Sequence, residues 1–343
     1  MIETSTPAGL RSLSLPPARG PLSSALLQGV RREPGTAVAW PTTVMSADPV
    51  GDEDLQLALY LCYELHYGGI VGVDPAWEWD PGLLTFRAAL ERPFEAALRA
   101  GVPAAEESEL AEVGSALQRI VAADDGPPLS RHVETQGSVE QVRELLTHRS
   151  AYQLKEADPH SWAIPRLTGA PKAALVEVQF DEYGGGRADR MHAVLFAKAM
   201  AAVGLDPTYG HYLAQLPAVT LATVNVMSLC GLHRRLRGAS VGHLAAFEMT
   251  SSLPNRRYGN GLRRLGFGVE ATDFFDEHVE ADAVHEQIAA WDLAGGLAAA
   301  EPALAADVLF GARALVALEA RWAAHLLAAW ERGECSLWPA PAL

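Results

Sequence analysis

The segment HVEADAVH, residues 278 to 285, places His278, Asp282 and His285 at positions i, i+4 and i+7. On an α-helix turning about 100° per residue, the three side chains fall within about 60° of one another. Two imidazoles and a carboxylate in one stripe suit a metal, because neutral His and carboxylate are the common nitrogen and oxygen ligands of iron, manganese and zinc. A solvated acidic face is the competing reading of this segment taken alone. Upstream stand four further residues of the same kinds: Glu156, then Glu182 and His192 bracketing EYGGGRADRMH, and Glu248 in the otherwise apolar HLAAFEMT. Singly each has a plain explanation: Glu248 pairing with Arg256 or Arg257, His192 as a hydrogen-bonded core histidine. Together, four carboxylates and three imidazoles match what two adjacent iron ions need, with positions left open for O2. Zinc is satisfied by four ligands.

The elements that must position these residues read as helices throughout. DEDLQLALYLCYELHY (52–67) opens with acidic residues suited to a helix N-terminus and carries Leu55, Leu59, Cys62 and Leu65 at helical spacing. LLTFRAALERPFEAALRAG follows, with an interruption expected at Pro93. Ser138 is the expected N-cap of a helix running to about Ala157, ahead of Pro159. Further helical segments begin at Lys172, Arg187, Ala218 and Ser240, continue through the 270s to 295, and close with the Ala/Leu-rich 301–331. Sustained β alternation is absent, so the expected class is all-α. Residues 1–20, rich in Pro, Ser and Thr, are expected to be disordered. The stretch AADDGPPLSRHVE (122–134) is the best internal boundary, separating a helical region 21–135, for packing or dimerisation, from a bundle over 136–335.

Composition narrows the function classes. A net charge of −15 with no dominant basic patch argues against nucleic acid as partner. The N-terminus lacks the apolar core of a signal peptide, and no 18-residue apolar run predicts a membrane span. Cys62, Cys230 and Cys335 lack CxxC spacing and read as reduced thiols, so a cytoplasmic location is expected. Glu64 and His66, about 200° apart on a helix, cannot both face one metal; Glu64 reads as a capping or salt-bridge residue and His66 as interfacial. Tyr67, Trp77 and Trp79 give that segment an aromatic load suited to packing between regions or subunits.

The motif order and spacing over about residues 140–330 resemble the haem-oxygenase-like di-iron oxidases, the iron-containing redox enzymes, through EYGGGRADRMHAVLF, Glu248 in an apolar helix, and the terminal H-x3-D-x2-H. Within that family the chain is similar to the N-oxygenating branch, typified by the central domain of the streptozotocin N-nitrosourea-forming enzyme, and no counterpart of that enzyme's cupin is expected. The resemblance implies a haem-oxygenase-like helical bundle with an N-terminal helical extension. It implies metal ligation by Glu156, Glu182, His192, Glu248, His278, Asp282 and His285, with Glu182 as the bridge. It further implies two Fe(II) ions (manganese as the alternative), an external electron donor, and O2-dependent oxidation of a small amine or amino-acid-type metabolite, as N-oxygenation in natural-product biosynthesis. The expected partners are this small molecule and O2, with a homodimer as the assembly and neither nucleic acid nor membrane. A carboxylate at position 248 favours N-oxygenation over the six-ligand desaturases and C–C lyases of the family, which form the alternative.

Other readings use some of the same residues. Asp189–His192 and Asp282–His285 are both D-x-x-H, similar to the pairs of ferritin-like di-iron bundles. Haem oxygenase chemistry needs an axial His rather than a carboxylate cluster. A thiaminase-like hydrolase would need Cys230 as nucleophile, where packing is the simpler role. A helical interaction protein without catalysis is the non-enzymatic alternative. Arg187, Arg256 and Arg257 are the expected substrate contacts, with Arg263 and Arg264 nearby; neutralisation of acidic helices is their competing role.

Overall fold

In the computed structural model residues 13–339 are described, except for the side chains of residues 280–284, and among them the regular structure is helical with no strand. The N-terminal region contributes α1 (Pro21–Gly29), α2 (Glu53–Glu64), α3 (Pro81–Ala100) and α4 (Val113–Ala122). After it come α5 (Leu129–Thr135), α6 (Val139–Gln153), α7 (Gly169–Glu182), α8 (His192–Ala202), α9 (Ala218–Leu232), α10 (Arg237–Arg264), α11 (Val269–Gln287) and α12 (Ala305–Glu331). No described helix is long and apolar enough to cross a membrane.

Local chemistry sets most boundaries. Asp52 caps α2 by accepting from the backbone N–H of Asp54 and Leu55, and Ser138 caps α6 reciprocally with Gln141. Helix α6 stops at Gln153, earlier than the expected Ala157, because the chain turns through Leu154–Ala157 with Ala157 at φ 73°. Helix α3 runs through Pro93 where an interruption is expected, and α10 runs through Pro254. In α3 the lost backbone bond is outweighed by burial of Phe86, Leu90 and Phe94 on one face around the proline. Residues 13–20, expected to be disordered, pack instead: Leu13 is buried and Arg19 pairs with Glu53 at 2.6 Å. Residues 1–12 of that expectation lie outside the described residues.

The longest helices α10 and α12 cross at a point where only glycine fits. A Cβ at Gly242 would stand 1.8 Å from the Val308 carbonyl oxygen, and one at Gly311 would stand 2.0 Å from that of Ala239. Their close approach, together with α11 packed on α10 and α8 packed on α11, draws the acidic and imidazole side chains into one interior. One apolar core joins α1, α2 and α3 to α6, α8, α9 and the far half of α12. A second core lies under α4, α7 and the middle of α10.

Candidate metal centre

Five elements deliver the titratable residues. Glu156 comes from the turn after α6, Glu182 from the last residue of α7, His192 from the first residue of α8, Glu248 from the middle of α10, and His278 and His285 from α11. All six are buried. Ligand atoms of Glu156, Glu182, His192 and His278 lie within 4.8 Å of one another, and those of Glu182, Glu248 and His285 form a second such group. Glu182 belongs to both. Asp282, the seventh residue expected in the set, lies outside the described side chains.

The contacts inside the cluster are close. His192 Nδ1 stands 2.9 Å from Glu182 Oε2, His278 Nε2 stands 3.6 Å from Glu156 Oε1, and His285 Nδ1 stands 3.4 Å from Glu248 Oε2. Two rings are oriented from behind. His278 Nδ1 donates to the Phe274 carbonyl at 2.8 Å, and His285 Nε2 donates to the half-exposed Asp181 carboxylate at 2.9 Å. Burial opposes the charge of Glu182, but His192, His278 and His285 around it hold its carboxyl below the usual range. Burial likewise disfavours a charged His285, yet Glu248 and Asp181 raise it to about 9; Glu182 raises His192 in the same way.

This donor set fits divalent cations. Glu156 Oε2 is buried with no hydrogen-bond partner among the described residues, a costly state for a carboxylate oxygen unless a cation meets it. Three carboxylates and three imidazoles supply the oxygen and nitrogen donors that iron accepts. A cleft of about 10 Å³ lies between Glu156, Glu182, Glu248 and His278. Beside it opens a chamber of about 470 Å³ that shares Glu156 and His278 with the cleft and is walled by Phe196, Phe247, Phe274 and Trp322.

Of the expected substrate contacts, Arg257 lines the chamber, whereas Arg187 and Arg256 are exposed and do not. Arg187 pairs with exposed Asp189 at 3.4 Å. Asp189 is exposed in the short turn ahead of α8 while His192 is buried, so the two do not form a ferritin-like ligand pair. Arg263 pairs with Asp276, and Arg264 donates to the carbonyls of Val133, Glu134 and Gly137. Cys230 is buried and its thiol is pushed up to about 12 by burial, so it is a packing residue and no nucleophile. Glu64 forms a buried salt bridge with Lys155, as its spacing from His66 suggests, and His66 contacts Glu78 at 3.1 Å.

Sequence reasoning missed several residues around the cluster: Asp181, Gln179, and the buried pair His160–His243 joined by a 3.1 Å hydrogen bond. Asp181 precedes Glu182 directly, and its distance from position 285 in the chain hides the contact. The EADPHSW and SVGHLAAFE segments each put a histidine within five residues of a ligand-type glutamate, which was the available signal for the pair.

No curated protein matches the chain significantly. Among solved structures, a CADD-like protein of unknown function from Nostoc punctiforme is 18% identical, with a TM-score of 0.50 over 64% of this chain and 97% of that one, a likeness of fold. The model of the iron-containing redox enzyme family matches residues 143–320, which contain every position of the cluster and more than half of the chain, and the protein belongs to that haem-oxygenase-like family.

Proposed function

We propose that the protein is an O2-dependent, non-haem di-iron oxidoreductase that oxidises a small nitrogen-bearing metabolite, an amine or amino acid, by N-oxygenation. The observation that carries the di-iron reading is the sharing of Glu182 by two ligand groups. Glu156, His192 and His278 would hold one ion, Glu248 and His285 the other, and Glu182 both. Bound iron would supply the redox chemistry, passing electrons to O2, with an external donor renewing them.

The chain's own residues do the rest. Phe274 O and Asp181 fix which nitrogen of His278 and His285 faces inward. Phe196, Phe247, Phe274 and Trp322 keep water from the metal side of the chamber and shape the space for substrate. Arg257, bonded to Ser130 at 3.3 Å, stands on the chamber wall with further donors for a polar substrate group. Nitrogen oxidation is favoured by Glu248, the carboxylate that the six-ligand desaturases and lyases of the family do without.

Anaerobic Fe(II) titration tests this directly. Two equivalents per chain are expected, and a ceiling of one would exclude the di-iron reading. Glu248→Ala should then weaken uptake of the second equivalent by at least roughly 10–100-fold, the range seen even for indirect contacts. Two irons retained at wild-type affinity, with only a lower melting temperature, would leave Glu248 a structural residue and make desaturation or C–C cleavage the leading chemistry.

A further inference from the structure

We infer that Lys155 and Gln179 are positioning residues that clamp the turn carrying Glu156, with α2 of the N-terminal region as the anchor. The inference rests on the reading of Glu156 as a metal ligand. Lys155 and Glu156 are adjacent and both buried, yet they face different surroundings: Lys155 reaches Glu64 on α2, and Glu156 reaches His278 on α11. A continuing helix would set the two side chains only about 100° apart. The turn separates them, closed by Lys155 N–H to the Tyr152 carbonyl at 2.8 Å and Asp158 N–H to the Lys155 carbonyl at 3.1 Å.

Ala157 completes that turn at φ 73°, the one non-glycine residue with positive φ among those described. A side-chain-bearing residue persists in this region only where its surroundings over-determine it. Here they do so from two sides. On one side the Lys155 ammonium pairs with Glu64 and lies 4.3 Å from the Tyr67 ring and 5.0 Å from that of Tyr60. Glu64 also accepts from Tyr209 at 2.8 Å, and Tyr209 and Tyr60 share a 2.7 Å hydrogen bond. On the other side the Ala157 carbonyl accepts from Gln179 Nε2 at 2.8 Å. Gln179 lies one turn before Glu182 on α7, so the same bond fixes the Glu156 turn relative to the helix that brings Glu182.

Among the described residues Glu156 Oε2 has no hydrogen-bond partner and Oε1 stands 3.6 Å from His278 Nε2, so the turn and its neighbours carry much of the work of placing this carboxylate. A buried ion pair is seldom the most stabilising choice for a core; well-packed apolar residues often serve as well. The Glu64–Lys155 pair joins α2, outside the family-matched residues 143–320, to the residue next to a candidate ligand. Its place makes sense as registration of the centre by a region that carries no ligand.

Co(II) is the probe, followed by visible absorption on the full chain, with amide exchange of residues 154–158 measured on the metal-free protein. Lys155→Met and Gln179→Leu should each weaken Co(II) binding roughly 10–100-fold, alter the absorption bands, and speed exchange in the turn. Lys155→Arg, which keeps the cation, should restore binding. Glu91→Gln breaks the Arg87–Glu91 pair elsewhere in the N-terminal region. It should lower the melting temperature and leave affinity and bands unchanged. If Lys155→Met does not fold, Glu64→Gln combined with Lys155→Met removes both charges and carries the same expectation. Wild-type affinity and bands in the folded Lys155 variant would overturn the inference, as would an equal loss in Glu91→Gln. Wild-type protein that shows no Co(II) bands would instead bring down the ligand reading beneath it.

Discussion

Protons and metal compete for the same nitrogen atoms in this centre. His285 is raised from 6.5 to about 9 by Glu248 and Asp181 against the cost of burial, so near neutral pH its imidazole is charged in the metal-free chain, and Glu182 shifts His192 in the same direction. Such raised groups stabilise the metal-free fold fully below pH 6.5, and for His285 that contribution is lost as pH rises through about 9. Glu182 has the opposite sign: its carboxyl is held low, so its contribution is present above the ordinary value of 4.5 and lost as pH falls toward about 2. A metal ion needs neutral imidazole, so binding must expel the proton that His285 carries. Calorimetric titration in buffers of different ionisation enthalpy should therefore show proton release at pH 7 that shrinks toward pH 9, with affinity rising over the same interval. Zero proton release at pH 7 would mean that metal does not displace a proton from His285. Six of the seven residues singled out from the sequence converge in one buried interior, and their types and spacing were legible there. Asp181 and Gln179 were not, because a polar residue beside a ligand looks like ordinary solvated surface until the partner across the fold is known.

Helix α11 carries two of the described candidate ligands, and the sequence of its second half is poor in large apolar residues. Ala271, Phe274 and Phe275 anchor the first half in the core. Between Phe275 and Ile288 the largest apolar side chains in the sequence are Val279 and Val284. A helix whose inward residues are imidazoles facing carboxylates is satisfied chiefly by the ion between them. Residues 276–287 are therefore expected to gain strong protection from hydrogen exchange on iron loading, while α6, capped by Ser138 and buried along Leu145, Leu146 and Ala151, gains little. Equal protection of residues 276–287 with and without metal would show that the helix does not depend on its ligands. Helix existence was read correctly from periodicity, and the errors sit at boundaries. Pro93 stays inside α3 because burial of Phe86, Leu90 and Phe94 around it exceeds the local penalty, and α6 ends early because Ala157 adopts a backbone conformation that alanine gives no hint of.

At the scale of the whole molecule the apolar core runs across the boundary that the sequence marks near residue 135. Leu55, Leu57, Leu59 and Leu61 on α2 are buried on all sides of the helix, in the same core as Leu221, Val224 and Trp322. Asn225 on α9 donates to the backbone and side chain of Gln56, at 2.9 and 2.7 Å. Acidic and Pro-containing composition at 122–134 marks a surface crossing of the chain, which looks the same in sequence whether the regions on either side separate or fuse. Burying one leucine contributes roughly 1.5–3 kcal/mol. Four such side chains rival the entire net stability of a domain, about 5–15 kcal/mol, and the faces of α9 and α12 that cover them would be bared if α2 were absent. A chain beginning at residue 136 should therefore keep helical far-UV circular dichroism but lose near-UV signal and cooperative melting, and should bind a hydrophobic dye. The intact protein should melt with far-UV and near-UV signals in step. A truncated chain that melts sharply and retains near-UV signal would mean that the family-matched bundle folds alone and that the N-terminal helices are an addition to a finished core.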